Sequence, residues 1–88
     1  MNRDELILDI KKHLIEDLNL EDMEPADIID EAPLFGEGLG LDSIDALEVV
    51  VILDNHYGIV IKDEELGRKV LQSVNTMADH ILEQKALE

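Results

Sequence analysis

Ser43 is the residue of this chain best placed to do chemistry. It stands in Gly40-Leu41-Asp42-Ser43-Ile44-Asp45-Ala46-Leu47-Glu48, where a glycine-spaced run (Gly36, Gly38, Gly40) ends and a helix-compatible run, Ile44 to Tyr57, begins. A hydroxyl at a helix start is exposed, and the unpaired N–H groups of a first turn favour an anion beside it. The chemistry this suits is a phosphate bond at the serine, as a phosphoserine or a phosphate-linked group. Asp42 and Asp45 oppose an anion there, whereas the helix terminus favours one by roughly 0.3 to 1 kcal/mol; exposure and salt weaken the opposition.

Other chemistries fail on spacing. A hydrolase elbow, Gly-x-Ser-x-Gly, needs glycine at positions occupied by Leu41 and Asp45. Gly36, Gly38 and Gly40 do not complete a dinucleotide fingerprint, and the chain is too short for that fold. Asp22, Glu24, Asp27 and Asp30 lack the calcium-loop spacing with its central glycine. Cysteine is absent, so any thiol must come from a cofactor, and His13 has no His or Cys partner at metal-ligand spacing. No metal site and no catalytic group is expected.

Four helical elements are expected to position Ser43. Asn2 caps the first, Arg3 to Asp17 or Leu18, with Glu5 completing a capping box. Leu6, Ile7, Ile10, Leu14 and Leu18 form its buried stripe, with Asp9, Lys12 and Glu16 outside. Asn19 to Leu41 is a long loop, pinned by Ile28, Ile29, Leu34, Phe35, Leu39 and Leu41, with a short helical turn at Ile28-Ile29. The second helix runs from Ser43 to His56 or Tyr57, capped by Asp42 and ended by Gly58. Ile59, Val60 and Ile61 run extended into the core. Asp63 caps a short third helix, Glu64 to Lys69, weakened by Gly67; Ser73 caps a fourth, with Val74, Met77, Ala78, Ile81 and Leu82 inward, that frays after Gln84.

The second helix carries more apolar residues than one buried face needs. Ala46, Val49, Val50, Leu53 and Tyr57 form a core stripe; Ile44, Leu47 and Val51 form a displaced second one. That second stripe either packs under the long loop or meets a partner.

Composition narrows the partners. The 88 residues carry 7 Lys+Arg against 22 Asp+Glu, a net charge of -15, with no lysine or arginine between Lys12 and Lys62. Such a field repels nucleic acid and steers basic surfaces inward. No stretch is long enough for membrane insertion and Met1 to Glu5 shows no signal-peptide pattern, so a soluble, cytoplasmic monomer is expected. One domain, 1–88, is expected, with Leu87-Glu88 as a candidate cloning remnant; a domain this size buries roughly 60% of its unfolded surface.

At Asp42-Ser43-Ile44-Asp45 the sequence resembles the acyl carrier proteins, and the similarity continues at Ala32-Pro33-Leu34-Phe35, Tyr57-Gly58-Ile59, Ile61 and Ser73 to Ala78. Ile44 replaces the commoner leucine, and the Ile61 to Ser73 segment is slightly longer than usual. The resemblance implies an all-α, four-helix bundle of three longer helices and one short one, with a long first loop. It implies that Ser43 carries 4'-phosphopantetheine, donated by coenzyme A through a phosphopantetheinyl transferase. Asp42 would help hold magnesium during that transfer. It further implies a cavity bordered by the second and third helices that shelters an acyl chain. Ile44, Leu47, Val51 and Ile61, rimmed by Asp42, Asp45, Glu48 and Asp54, would meet basic surfaces of acyltransferase, ketosynthase, reductase or dehydratase enzymes. The expected function is acyl carriage for fatty acid, polyketide or related synthesis. A peptidyl or aminoacyl carrier on the same fold, and an acidic adaptor binding basic proteins through charge alone, are the alternatives.

Overall fold

Four α-helices form among the residues described by the computed structural model, 2–36 and 38–86: α1 (Arg3–Asp17), α2 (Ser43–Tyr57), α3 (Glu64–Val70) and α4 (Val74–Ala86). Leu87 and Glu88, the candidate remnant, lie outside the described residues, as does Glu37 of the glycine run. The all-helical expectation, three longer helices and a short one behind a long first loop, describes the observed bundle.

Each helix starts on a polar cap. Asn2 Oδ1 accepts the Glu5 N–H at 2.8 Å, but the reciprocal half of the box is unusual: Glu5 Oε1 accepts from the Asn2 side-chain amide, also at 2.8 Å. Asp63 Oδ1 accepts the Leu66 N–H at 2.7 Å to open α3. At the α3–α4 junction, Ser73 Oγ accepts the Thr76 N–H at 3.2 Å, while Thr76 Oγ1 donates to the Val70 carbonyl at 2.7 Å. That pair closes the end of one helix against the start of the next. Gly58, at φ 68°, ends α2 in the left-handed conformation that residues with a Cβ adopt at a cost.

The helices close on an aliphatic core in which α1 packs against α4 and α2, and α3 leans on α4. Ile10, Leu14, Leu34, Val49, Leu53, Val74 and Met77 are its largest fully enclosed side chains. Leu6, Ile7 and Ile10 are buried as expected and Leu18 is half-buried at the helix end. The helix α4 runs two residues beyond the expected fraying point, to Ala86. The helical turn of the long loop falls at Pro25–Asp27 rather than at Ile28-Ile29, because proline suits a first helical position and Asp27 caps back onto the Glu24 N–H at 2.9 Å. Ile28, Leu34 and Leu41 pin the loop, whereas Ile29 stands 60% exposed. Backbone bonds from Leu34 N–H to the Gln72 carbonyl (3.0 Å) and from Asn75 N–H to the Asp30 carbonyl (2.9 Å) tie the loop to the α3–α4 junction. Lys11 adds an ion pair with Asp30.

Asp9, expected outside, is half-buried because the Tyr57 hydroxyl donates to it at 2.7 Å. His13 and His56, far apart in sequence, stack at 3.7 Å between ring centroids, with Asp9 3.3 Å from His13 and Asp17 3.2 Å from His56. Burial, then the hydrogen bond and the negative charge of Asp9, push the Tyr57 hydroxyl far above the usual tyrosine range. A raised folded-state pKa means that its contribution is fully present below the unfolded value of about 10 and is lost as pH rises further. Parent protein will therefore lose stability above about pH 10 more steeply than Tyr57→Phe, measured by urea unfolding at stepped pH. Because Tyr57 is the chain's single tyrosine, phenolate absorbance reports this group alone.

Candidate functional site

The start of α2 is built by two aspartates acting on each other's backbone. Asp42 Oδ1 accepts the N–H groups of Ile44 and Asp45, both at 3.0 Å, and Asp45 Oδ2 accepts the Asp42 N–H at 3.1 Å. Ala46 N–H bonds to the Asp42 carbonyl at 3.0 Å. The first turn therefore spends its donors on its own cap, and the Ser43 N–H is the one these bonds do not engage. This revises the expectation that unpaired first-turn N–H groups favour an anion: the site presents Ser43 rather than gripping an anion. Ser43 is exposed, and its hydroxyl enters none of the described hydrogen bonds.

Asp42→Ala should cost about 1 to 2 kcal/mol by removing that cap, lowering the melting temperature by roughly 4 to 8 °C per kcal/mol. Asp42→Asn, which keeps the acceptor, should melt within a degree or two of the parent. Thermal scans of the two variants separate cap from charge.

Ser43 also lines a cleft of about 530 Å³ between α2, α3 and the long loop. Ala46, Leu47 and Val50 come from α2, Gly67 and Arg68 from α3, Ile61 from the connecting segment, and Pro33 and Phe35 from the loop. The cleft exists because α2 and α3 are not a close-packed pair, each leaning instead on another helix. Among its lining residues Gly67 and Leu71 are buried, whereas Asp63, Glu64, Arg68 and Gln72 are exposed. A hydroxyl beside an aliphatic cleft fits an attached group with an apolar load.

The second stripe of α2 is outside, not under the loop. Ile44 is 71% exposed, Leu47 68% and Val51 47%. Asp42, Glu48 and Asp54 are exposed beside them and Asp45 is half-buried in the cap. Ile61 stands apart from that face: half-buried, it lines the cleft. Ile52, 2% exposed, is a core residue of α2 that the two-stripe reading left out. Its spacing with Val49 and Leu53 was the available signal. Gly67, read only as a weakness of the short helix, is a wall of the cleft.

Among the described residues no cluster of His, Asp or Glu could hold a metal ion, and no helix is long and apolar enough to cross a membrane.

A four-helix bundle presenting one exposed serine at a capped helix start, beside an apolar cleft, has the form of a covalent carrier. The chain belongs to the family described as phosphopantetheine attachment site, whose pattern matches residues 8–81. It is 31% identical over 81 residues to the acyl carrier protein of Thermosynechococcus vestitus, covering 92% of this chain and 93% of that protein. It is 35% identical over 79 residues to the D-alanyl carrier protein of Streptococcus mutans serotype c, covering 86% and 95%. Over 57 residues it is 40% identical to the acyl carrier protein of Wolinella succinogenes, covering 65% and 70%. It is thus a carrier protein of the family that holds a 4'-phosphopantetheine group, a family generally non-catalytic.

Proposed function

We propose that Ser43 is the attachment point for 4'-phosphopantetheine and that the protein carries acyl groups for fatty acid, polyketide or related specialised lipid synthesis, without catalysing a reaction itself. The observation that carries this reading is the placement of the exposed Ser43 on the wall of the aliphatic cleft. When bound, the group supplies the terminal thiol that the cysteine-free chain lacks, and that thiol holds acyl groups as thioesters. The chain's own residues do the rest. Asp42 and Asp45 hold the α2 start so that the Ser43 hydroxyl faces outward to a transferase. Asp42 keeps its second carboxylate oxygen outside the cap bonds, available to the magnesium ion that the transferase reaction uses. Ala46, Val50, Ile61 and Leu71 offer an apolar surface that shields an aliphatic load from water.

Ile44, Leu47 and Val51 serve as the docking face for the transferase and for acyl-handling enzymes. The acidic residues around them steer basic surfaces, and the apolar side chains then hold the complex. The D-alanyl carrier relative favours a second reading, an aminoacyl load on the same arm; the apolar cleft favours the acyl one.

Thiol titration tests the proposal without a partner pathway. The unmodified chain contains no cysteine and should give no reaction. After incubation with coenzyme A, magnesium and a broad-specificity transferase, followed by desalting, it should give one thiol per chain. A titre that stays at zero would overturn the reading.

A further inference from the structure

The cleft beside Ser43 contains one wall residue that its own helix does not explain. Gly67 sits in the middle of α3, Glu64–Val70, where glycine is a poorer helix former than any residue but proline. Two ordinary reasons for such a glycine are a left-handed backbone and a close approach by another chain segment. Neither applies. The glycines with positive φ are Gly36, Gly40 and Gly58. A Cβ at 67 would meet, within 4 Å, only the Ile61 Cγ2 methyl, at 3.4 Å. What the missing side chain does leave is room, because Gly67 lines the cleft together with Ala46 of α2.

We propose that Gly67 and Ala46 set the length of acyl chain that the cleft accepts, which makes them the specificity-determining residues for the load. The proposal rests on the reading that Ser43 carries the arm, and the class of load is an unfunctionalised aliphatic acyl group. The buried residues of the cleft wall, Gly67 and Leu71, offer no polar side chain, so a hydroxyl or carboxylate carried against them would lose its hydration without a partner. The charged residues that line the cleft, Asp63, Glu64 and Arg68, are all exposed. A side chain added at 67 therefore takes up apolar space on the α3 wall of the cleft, whereas Ser43 stands on α2.

The test loads the parent, Gly67→Ala, Gly67→Leu and Ala46→Leu with butyryl, octanoyl and palmitoyl arms, using the corresponding acyl-coenzyme A and a transferase, and compares melting temperatures with the unloaded proteins. In the parent, stabilisation should grow with chain length until the cleft is full. Unloaded Gly67→Ala should melt higher than the parent by about 4 °C, since alanine is the better helix former. Its gain from octanoyl and palmitoyl should shrink, and in Gly67→Leu that gain should vanish while the butyryl effect stays; in Ala46→Leu, one turn along α2 from Ser43, the long-chain gain should vanish too. Ala46→Leu, on a different helix, keeps the test decisive if Gly67→Leu does not fold. Loaded variants with the parent's length profile would overturn this proposal alone. So would a lower melting temperature for unloaded Gly67→Ala, which would show that packing requires the glycine. Failure of every arm to load, with a transferase active on another carrier, would overturn the attachment reading and this proposal with it.

Discussion

Ser43→Ala will accept no phosphopantetheine and will otherwise remain the same folded protein. The helix start does not depend on the serine, since the two N–H bonds that cap α2 go to Asp42 and the return bond comes from Asp45. The Ser43 side chain is exposed and enters none of the described hydrogen bonds, so its removal exposes nothing and orphans nothing. Alanine at a first helical position is at least as favourable. Urea unfolding should give a free energy within about 0.5 kcal/mol of the parent, with the same slope. The functional loss should be complete, because in the proposed reading the Ser43 hydroxyl is the acceptor of the transferred group and a carboxylate does not replace it. A large loss of stability would mean that the serine is structural. Retained loading would mean that another hydroxyl, such as Ser73 or Thr76, is the acceptor; both are engaged in the α3–α4 junction, which argues against them.

Leu47→Ala will lower the transferase's kcat/KM for this protein by about tenfold or more, which corresponds to about 1.4 kcal/mol of lost contact. The stability of the variant should stay within about 0.5 kcal/mol of the parent, because Leu47 is 68% exposed and contributes little to the core. Glu48→Lys addresses the other half of the docking idea. Its defect should lie in association rate and should shrink as salt is added, since exposed charges are screened beyond about 8 Å at physiological ionic strength. The Leu47 defect should persist in salt. If both variants are modified at the parent's rate, the exposed α2 stripe is not the docking face. Steady-state kinetics at two salt concentrations, with unfolding curves alongside, separates these outcomes.

The helix ends were the most legible part of the fold because the caps are local. Asn2, Asp42, Asp63 and Ser73 each bond to a backbone group two or three residues on, and Gly58 acts on its own φ. Spacing alone therefore locates them. The exposed position of Ser43 was legible for the same reason, since it follows a cap at the end of a glycine-rich loop. What spacing cannot report is which side of an over-apolar helix finds a neighbour. Ile44, Leu47 and Val51 are exposed because α2 packs on α1 and holds apart from α3, a choice made by tertiary contact.

The loop was read as a pinned segment with its helical turn at Ile28-Ile29, and this was the least accurate part. Gly38 is a packing position: a Cβ there would stand 1.6 Å from the Pro33 carbonyl oxygen. The bonds from Leu34 to Gln72 and from Asn75 to Asp30 cross distances in sequence that no local pattern contains. The same holds for the His13–His56 stack and for the cleft, which is assembled from α2, α3, the loop and the segment around Ile61. The arrangement of the proposed attachment residue could be read from its neighbours in sequence. A cavity between the second and third helices was implied by the family resemblance alone, and its full lining could not be read, because those residues meet only after folding.

The most direct test of the central claim is intact mass before and after incubation with coenzyme A, magnesium and a broad-specificity phosphopantetheinyl transferase, followed by fragmentation of the modified chain. The account predicts one phosphopantetheine per protein, carried on the peptide containing Ser43. Addition at another residue, or no addition to a folded protein by an enzyme active on another carrier, would contradict it.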